Sequence, residues 1–265
     1  MKYYILKIVL AFMVIATALN LCIKFAYPSN NYNYAEDSIS LASFLEKNNI
    51  SIDPDIIDMT NKKVYECTMT NVFSNKDVTA NTFLGAIAEK RNDSYYIGNS
   101  TVYFTDSKLN YFPETPVFSY DLEDITQDNA GKKVKSLCKQ FNINTSDCNF
   151  GISSESHRIT VSVMPMINKC PVFNDALIFE MSPAGLHSVS GIWYTAGNIH
   201  SQRYALSISD ALIAFMNNYA DKNTNTIITD IQLGYNLIDT VNSSSEIKPV
   251  WRITVENNAI YYIDA

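Results

Sequence analysis

Between Lys7 and Lys24 the chain carries sixteen uncharged residues in a row, IVLAFMVIATALNLCI. In hydrocarbon, only a helix satisfies the backbone polar groups of a single segment internally, so this run narrows its own folding options sharply. Nine of the sixteen are Ile, Leu, Val or Phe, each worth roughly −0.3 to −0.6 kcal/mol at a membrane centre. Together they outweigh Thr17 and Asn20. A helix of this length reaches only about 24 Å, but the flanking Lys7 and Lys24 can snorkel. Tyr3, Tyr4, Phe25 and Tyr27 suit the interfaces, and Pro28 stops the helix. Residues 1–27 are therefore expected to form a cytoplasmic tip and a transmembrane signal-anchor.

Three other readings compete for this run. A cleaved signal peptide finds its site in Ala16-Thr17-Ala18, but apolar residues continue to Ile23. A lipoprotein needs a small residue before its cysteine, and Leu21 precedes Cys22. A buried core helix fits poorly with a segment that is apolar all round and has basic flanks. Lys2, Lys7 and the amino terminus precede the span and Lys24 follows it, so the positive-inside rule places the N-terminus in the cytoplasm and residues 28–265 outside the cell membrane. Beyond Lys24, 17 basic residues face 27 acidic ones, a net charge of −10. That balance argues against nucleic acid or an anionic membrane surface as partner.

Of the 265 residues, 47% are hydrophobic and 18% charged, the composition of a folded body. The stretch 28–36 reads as a linker. Helices are expected from Asp37 or Ser38 to Asn48, with Ile39, Ala42, Phe44 and Leu45 inward, and over Val78–Lys90, with Phe83, Leu84, Ile87 and Ala88 inward. Short strands at 94–97, 101–105 and 109–112 follow. The Pro113–Pro116 stretch marks the best internal boundary. A helix over 122–141 opens the second half, then strands at 158–166, 172–181 and 186–194, with a hairpin turn at Ser182-Pro183-Ala184-Gly185. Ile208, Leu212, Phe215, Met216 and Tyr219 make one apolar stripe on a helix capped by Ser207 or Ser209. Asn49-Ile50 and Asn142-Ile143 occupy similar places after two helices, a weak sign of duplication. The expected architecture is α+β: two tandem units of antiparallel sheet packed by helices, residues 28–116 and 117–265, preceded by one transmembrane helix.

The final stretch, KPVWRITVENNAIYYIDA, reads as a hairpin turning on Asn257-Asn258. A two-residue turn pairs Val255 with Ile260, Ile253 with Tyr262 and Trp251 with Asp264. It places Trp251, Ile253, Val255, Ile260 and Tyr262 on one face, as the core against the helical stripe at 208–219.

No catalytic constellation emerges. His157, His187 and His200 lack metal-ligand spacing, and neither a G-x-S-x-G elbow nor a phosphate-binding glycine loop occurs. Asp53-Pro54-Asp55 and Asp121-Leu122-Glu123-Asp124 read as a turn and a helix start rather than calcium ligands. Tyr95-Tyr96, Tyr261-Tyr262 and Trp193-Tyr194 read as strand pairs with one ring in and one out, the outer rings being a minority candidate for a ligand groove. Cys67, Cys138, Cys148 and Cys170 leave both disulfides and isolated thiols open. Neither a cofactor nor a metal nor a small-molecule substrate is expected.

The order of elements carries a resemblance. The anchor, the opening NNISIDPDII, then VSVMPMINKCPVFNDALIFEMSPAG, SDALIAFM, IITDIQLGYNLI and the closing hairpin resemble the YycI/YycH family. Members are membrane-anchored regulators of the YycG/WalK sensor kinase in low-GC Gram-positive bacteria, in cell-wall homeostasis. The match is best from about residue 158 onward. Asn257-Asn258 stand where members often have a more glycine-rich turn. The resemblance implies a non-enzymatic extracytoplasmic domain whose membrane helix meets a sensor histidine kinase, a YycH-like paralogue, or both. Small side chains favour close packing in lipid, which makes Ala11, Ala16, Thr17, Ala18 and Asn20 the candidate contacts. The hairpin is also similar to that of PepSY-type domains, giving an alternative: an extracellular module that binds a peptide or inhibits a protease. An enzyme acting on wall polymers is the remaining rival.

Overall fold

Three of the four α-helices among the described residues end close to a residue with left-handed backbone. The structure, a computed structural model, describes residues 34–114, 125–220, 224–238 and 243–265. Helix α1 (Tyr34–Glu46) is followed by Asn49 at φ 60°, and helix α3 (Gln127–Gln140) by Asn142 at φ 56°. Each asparagine N–H bonds back three residues, to Glu46 and Lys139, and each is followed by a buried isoleucine, Ile50 and Ile143. The repeated Asn-Ile pair is thus one local solution used twice. Helix α2 (Lys76–Leu84) starts on Asn75, whose Oδ1 accepts the Val78 N–H at 3.2 Å, and stops at Gly85, φ 75°. That stop corrects the longer helix expected from sequence: Ile87 lies beyond it and is 90% exposed instead of inward. On α1, Ala42 and Leu45 are buried, whereas Ile39 and Phe44 are exposed. Helix α4 (Ile208–Asn218) is capped by Ser207, whose Oγ accepts the Asp210 N–H at 3.1 Å.

The strands are β1 (Ile50–Ile52), β2 (Lys63–Asn71), β3 (Glu89–Arg91), β4 (Ser94–Ile97), β5 (Ser100–Thr105), β6 (Lys108–Phe112), β7 (Cys148–Glu155), β8 (Arg158–Ile167), β9 (Cys170–Pro171), β10 (Leu177–Ser182), β11 (Gly185–Gly191), β12 (Tyr194–Tyr204), β13 (Thr226–Leu237), β14 (Ser244–Val255) and β15 (Ile260–Asp264). A six-stranded sheet runs β1-β13-β14-β2-β12, with β15 also on β14. A nine-stranded antiparallel sheet runs β3-β4-β5-β6-β11-β10-β8-β7, with β9 on β8. The fold is α+β, but the two sheets are not tandem units. Each takes strands from both sides of Pro113–Pro116: β6 pairs β11, with Tyr111 opposite Val189, and β2 pairs β12 and β14. A pair of open strand edges in the first half is closed by strands made later, which satisfies backbone groups that tandem units would leave bare. The six-stranded sheet also has a parallel pair, β1 on β13.

Each sheet has its own core. One buries Leu45 of α1 and Leu212 and Phe215 of α4 with Tyr235, Trp251 and Ile253. The other buries Phe83 of α2 and Val134 and Leu137 of α3 with Tyr111, Phe179 and Val189. Trp193 and Tyr194 stand where the chain passes between the sheets. Both rings are buried, Trp193 in the second core and Tyr194 in the first, which corrects the expectation of one ring in and one out. Alternation holds, but each face of the strand meets a different core.

The closing hairpin turns on three residues. Val255 N–H donates to the Ala259 carbonyl at 3.0 Å, Asn258 N–H donates to the Val255 carbonyl at 2.8 Å, and Asn258 sits at φ 61°. This is a type I turn closed by a left-handed residue. It shifts the pairing by one residue: Thr254 faces Ile260, Ile253 faces Tyr261, and Trp251 faces Ile263. A one-residue shift exchanges the two faces of a strand. Trp251, Ile253 and Val255 are buried with Ile263, while Ile260 and Tyr262 lie outward. The Phe215 and Tyr261 rings meet edge to face at 5.3 Å, so α4 does pack on this hairpin.

Candidate functional site

Ala11, Ala16, Thr17, Ala18 and Asn20, with the whole expected span, lie outside the described residues. Among the described residues, no helix is long and apolar enough to cross a membrane. The arrangement with the most chemistry is the junction between the sheets.

That junction is built by the segment Cys170–Asp175, which leaves β8 and crosses to β13. Val172 forms a parallel bridge with Tyr235, and Phe173 N–H donates to the Tyr235 carbonyl at 2.8 Å. Asn174 then acts as a substitute strand: its Oδ1 accepts the Leu237 N–H at 2.7 Å and its Nδ2 donates to the Leu237 carbonyl at 3.0 Å. The Phe173 ring lies over Gly234, where no side chain intervenes. The Arg252 guanidinium stands 4.5 Å from the ring centroid and donates to Asp230 at 3.2 Å and Gln232 at 2.9 Å. Tyr262, turned outward by the hairpin register, meets the same ring at 5.9 Å.

The buried Asp175 carboxyl accepts the Tyr194 backbone N–H, 3.1 Å to Oδ2 and 3.3 Å to Oδ1. Burial pushes its pKa well above the ordinary carboxylate range, against the opposing pull of that N–H. Sequence reasoning missed this group. The available signal was the Asn174-Asp175 interruption in an otherwise apolar CPVFNDALIFEM run, since a polar pair inside such a run must find buried partners.

Elsewhere the side chains serve structure. Cys67, Cys138, Cys148 and Cys170 are all free thiols. Burial raises Cys138 to about 12 and Cys148 to about 11, so both stay protonated near neutrality and make poor nucleophiles. Asp53 caps a short turn by accepting the Asp55 N–H at 3.0 Å, while Asp121–Asp124 lie outside the described residues. His187 Nε2 pairs with Ser182 at 2.8 Å and His200 Nε2 with Thr68 at 3.0 Å. Among the described residues no cluster of His, Cys, Asp or Glu has the geometry to hold a metal ion.

The outer boundary of the six-stranded sheet is β12. It pairs with β2 on one side, and Thr195–Tyr204 are exposed throughout, including Ile199 and Tyr204. Register shifts at Ala196–Ile199 and Ile199–Ser201 interrupt its ladder. Such bulges twist an edge strand away from unspecific pairing.

The profile of the family described as YycI protein matches residues 29–265. No curated protein matches the chain. Among solved structures, an uncharacterized protein from Eubacterium rectale is 14% identical with a TM-score of 0.53, over 82% of this chain and 86% of that one. At that identity the likeness shows the fold alone. The YpeB C-terminal domain from Bacillus megaterium is 9% identical over 74% of this chain and 94% of that one, at a TM-score of 0.36.

Proposed function

The chain belongs to the YycI protein family, whose profile spans residues 29–265, and from that premise we propose that it is a membrane-anchored extracytoplasmic regulator of a two-component sensor histidine kinase. Membership implies association with a sensor kinase system, and it is the observation that carries the reading. The action is by protein–protein contact rather than catalysis. The apolar run at 8–23 holds the body at the outer face of the cell membrane. Its small residues Ala11, Ala16, Thr17 and Ala18, with Asn20, pack against the membrane helices of the kinase or of a YycH-like paralogue. Two features support this: the basic flanks Lys7 and Lys24 around an uninterrupted apolar run, and a body in which Asn174 and the buried Asp175 are engaged in joining its own sheets.

The test is a photo-crosslinking scan of residues 8–23 in cells, read together with phosphorylation of the response regulator. Crosslinks to the kinase or paralogue are expected at positions sharing a helix face, such as Ala11 and Ala18. Replacing 8–23 by an unrelated apolar sequence should change kinase output while the body stays folded. Unchanged output with no crosslinks at any position would overturn the proposal.

A further inference from the structure

Helices α2 and α3 cover one face of the nine-stranded sheet, and no helix among the described residues covers the other. On that open face Tyr103 of β5 and Phe112 of β6 are diagonal neighbours, since Tyr103 stands opposite Asn110 and Thr101 opposite Phe112. Their rings are nearly parallel, 12° apart, with centroids at 6.1 Å. Face-to-face contact would bring them to roughly 3.5–4 Å, so they are displaced sideways and each keeps ring surface free. Phe112 is 43% exposed, and Tyr103 and Tyr96 are half-buried. Thr101, Asn110 and Ser190 stand among them on neighbouring strands, with Ser190 opposite Asn110 and Thr101 opposite Tyr96. The face carries few charges: Lys108 stands on the same side of β6 as Asn110 and Phe112. Arg91 pairs with Glu89 at 2.9 Å, and Glu180 takes the Ser188 hydroxyl at 3.0 Å with Arg158 at 3.8 Å.

We propose that this ring pair and its hydroxyl and amide neighbours form a binding platform for a neutral glycan. A pyranose presents an apolar C–H face, slightly positive, which suits the negative face of an aromatic ring, and an equatorial belt of hydroxyls, which suits Thr, Asn and Ser side chains. Rings about 6 Å apart can each serve one sugar of a chain. A protein partner suits the face less well, because a stable interface needs roughly 800 Å² per side around an apolar centre, and here the rings are interleaved with polar groups. An anionic ligand needs a cluster of cations, and among the described residues of β5 and β6 this side offers Lys108 alone. The proposal is independent of the kinase reading.

The test uses the full chain in phosphatidylcholine nanodiscs, with triacetylchitotriose and cellotetraose as probes, followed by saturation-transfer NMR and titration. Weak binding of at least one saccharide is expected. Tyr103→Ala and Phe112→Ala should each weaken it on the order of tenfold, the size of one ring-stacking contact. Tyr262→Ala, an outward ring on the other sheet, should leave it unchanged. Circular dichroism reports whether each variant folds, and the exposed Phe112 position carries the test alone if Tyr103→Ala does not. No saturation transfer from either saccharide, or transfer undiminished by Phe112→Ala, overturns the proposal.

Discussion

The carboxyl of Asp175 holds the backbone N–H of Tyr194 at 3.1 Å in a place with no solvent access, where the two sheets meet. One short bond to one amide does not replace the hydration of a carboxylate, so burial keeps the group protonated well above the usual range. A raised folded-state pKa means the native state holds this proton longer than the unfolded chain does. The stability it contributes is full below the unfolded value of 3.8 and is lost as pH rises through the folded value. Asp175→Asn should therefore gain stability relative to the parent as pH increases from about 4 toward neutrality. Thermal melts of both proteins across that range check the sign. A difference that shrinks with pH would contradict the assignment.

Gly234 lies beneath the Phe173 ring. A Cβ at 234 would stand 2.5 Å from both Phe173 Cζ and the Pro171 carbonyl oxygen. Gly234→Ala is expected to destabilise by about 1–3 kcal/mol through overpacking. Adding Phe173→Ala should recover only part of that loss, because the Pro171 carbonyl stays. A double-mutant cycle by urea denaturation measures the coupling.

The hairpin register makes opposite forecasts for two isoleucines. Ile263, 7% exposed, should cost about 2–5 kcal/mol when cut to alanine. Ile260, 50% exposed, should cost less than about 1 kcal/mol. A two-residue turn would reverse the order. Asn258→Gly should be neutral or mildly stabilising at φ 61°, whereas Asn258→Val should lose about 1–2 kcal/mol.

The thiols give a kinetic check. In the native protein Cys138 should resist iodoacetamide, being fully buried and pushed up to about 12. Half-buried Cys148, raised to about 11, should label at a rate rising roughly tenfold per pH unit through the mildly alkaline range. Mass spectrometry of peptides after timed labelling reads both. Fast labelling of Cys138 before Cys148 would mean that α3 opens readily.

Local signals in the sequence proved good guides to local structure. The stripe on 208–219 with its serine cap and the Ser182–Gly185 turn both appear as elements with nearly those bounds. Each depends on periodicity and on a few residues with special backbone tolerance, which a short window contains. The junction chemistry was far less legible. Asn174 and Asp175 reveal themselves only by interrupting an apolar run, and their partners Leu237 and Tyr194 lie 63 and 19 residues away.

The set of elements is written locally, in where helices start, where Asn49, Gly85 and Asn142 stop three of them, and which strands alternate. Tertiary structure decided which strands lie side by side. Nothing local in β2 or β6 specifies β12 or β11 as a neighbour, and the choice follows from filling two cores at once and leaving few strand edges bare. The hairpin face was decided the same way. Asn257-Asn258 tolerates either turn, and burial of Ile263 and Tyr261 against α4 selects the register that a two-residue reading misses.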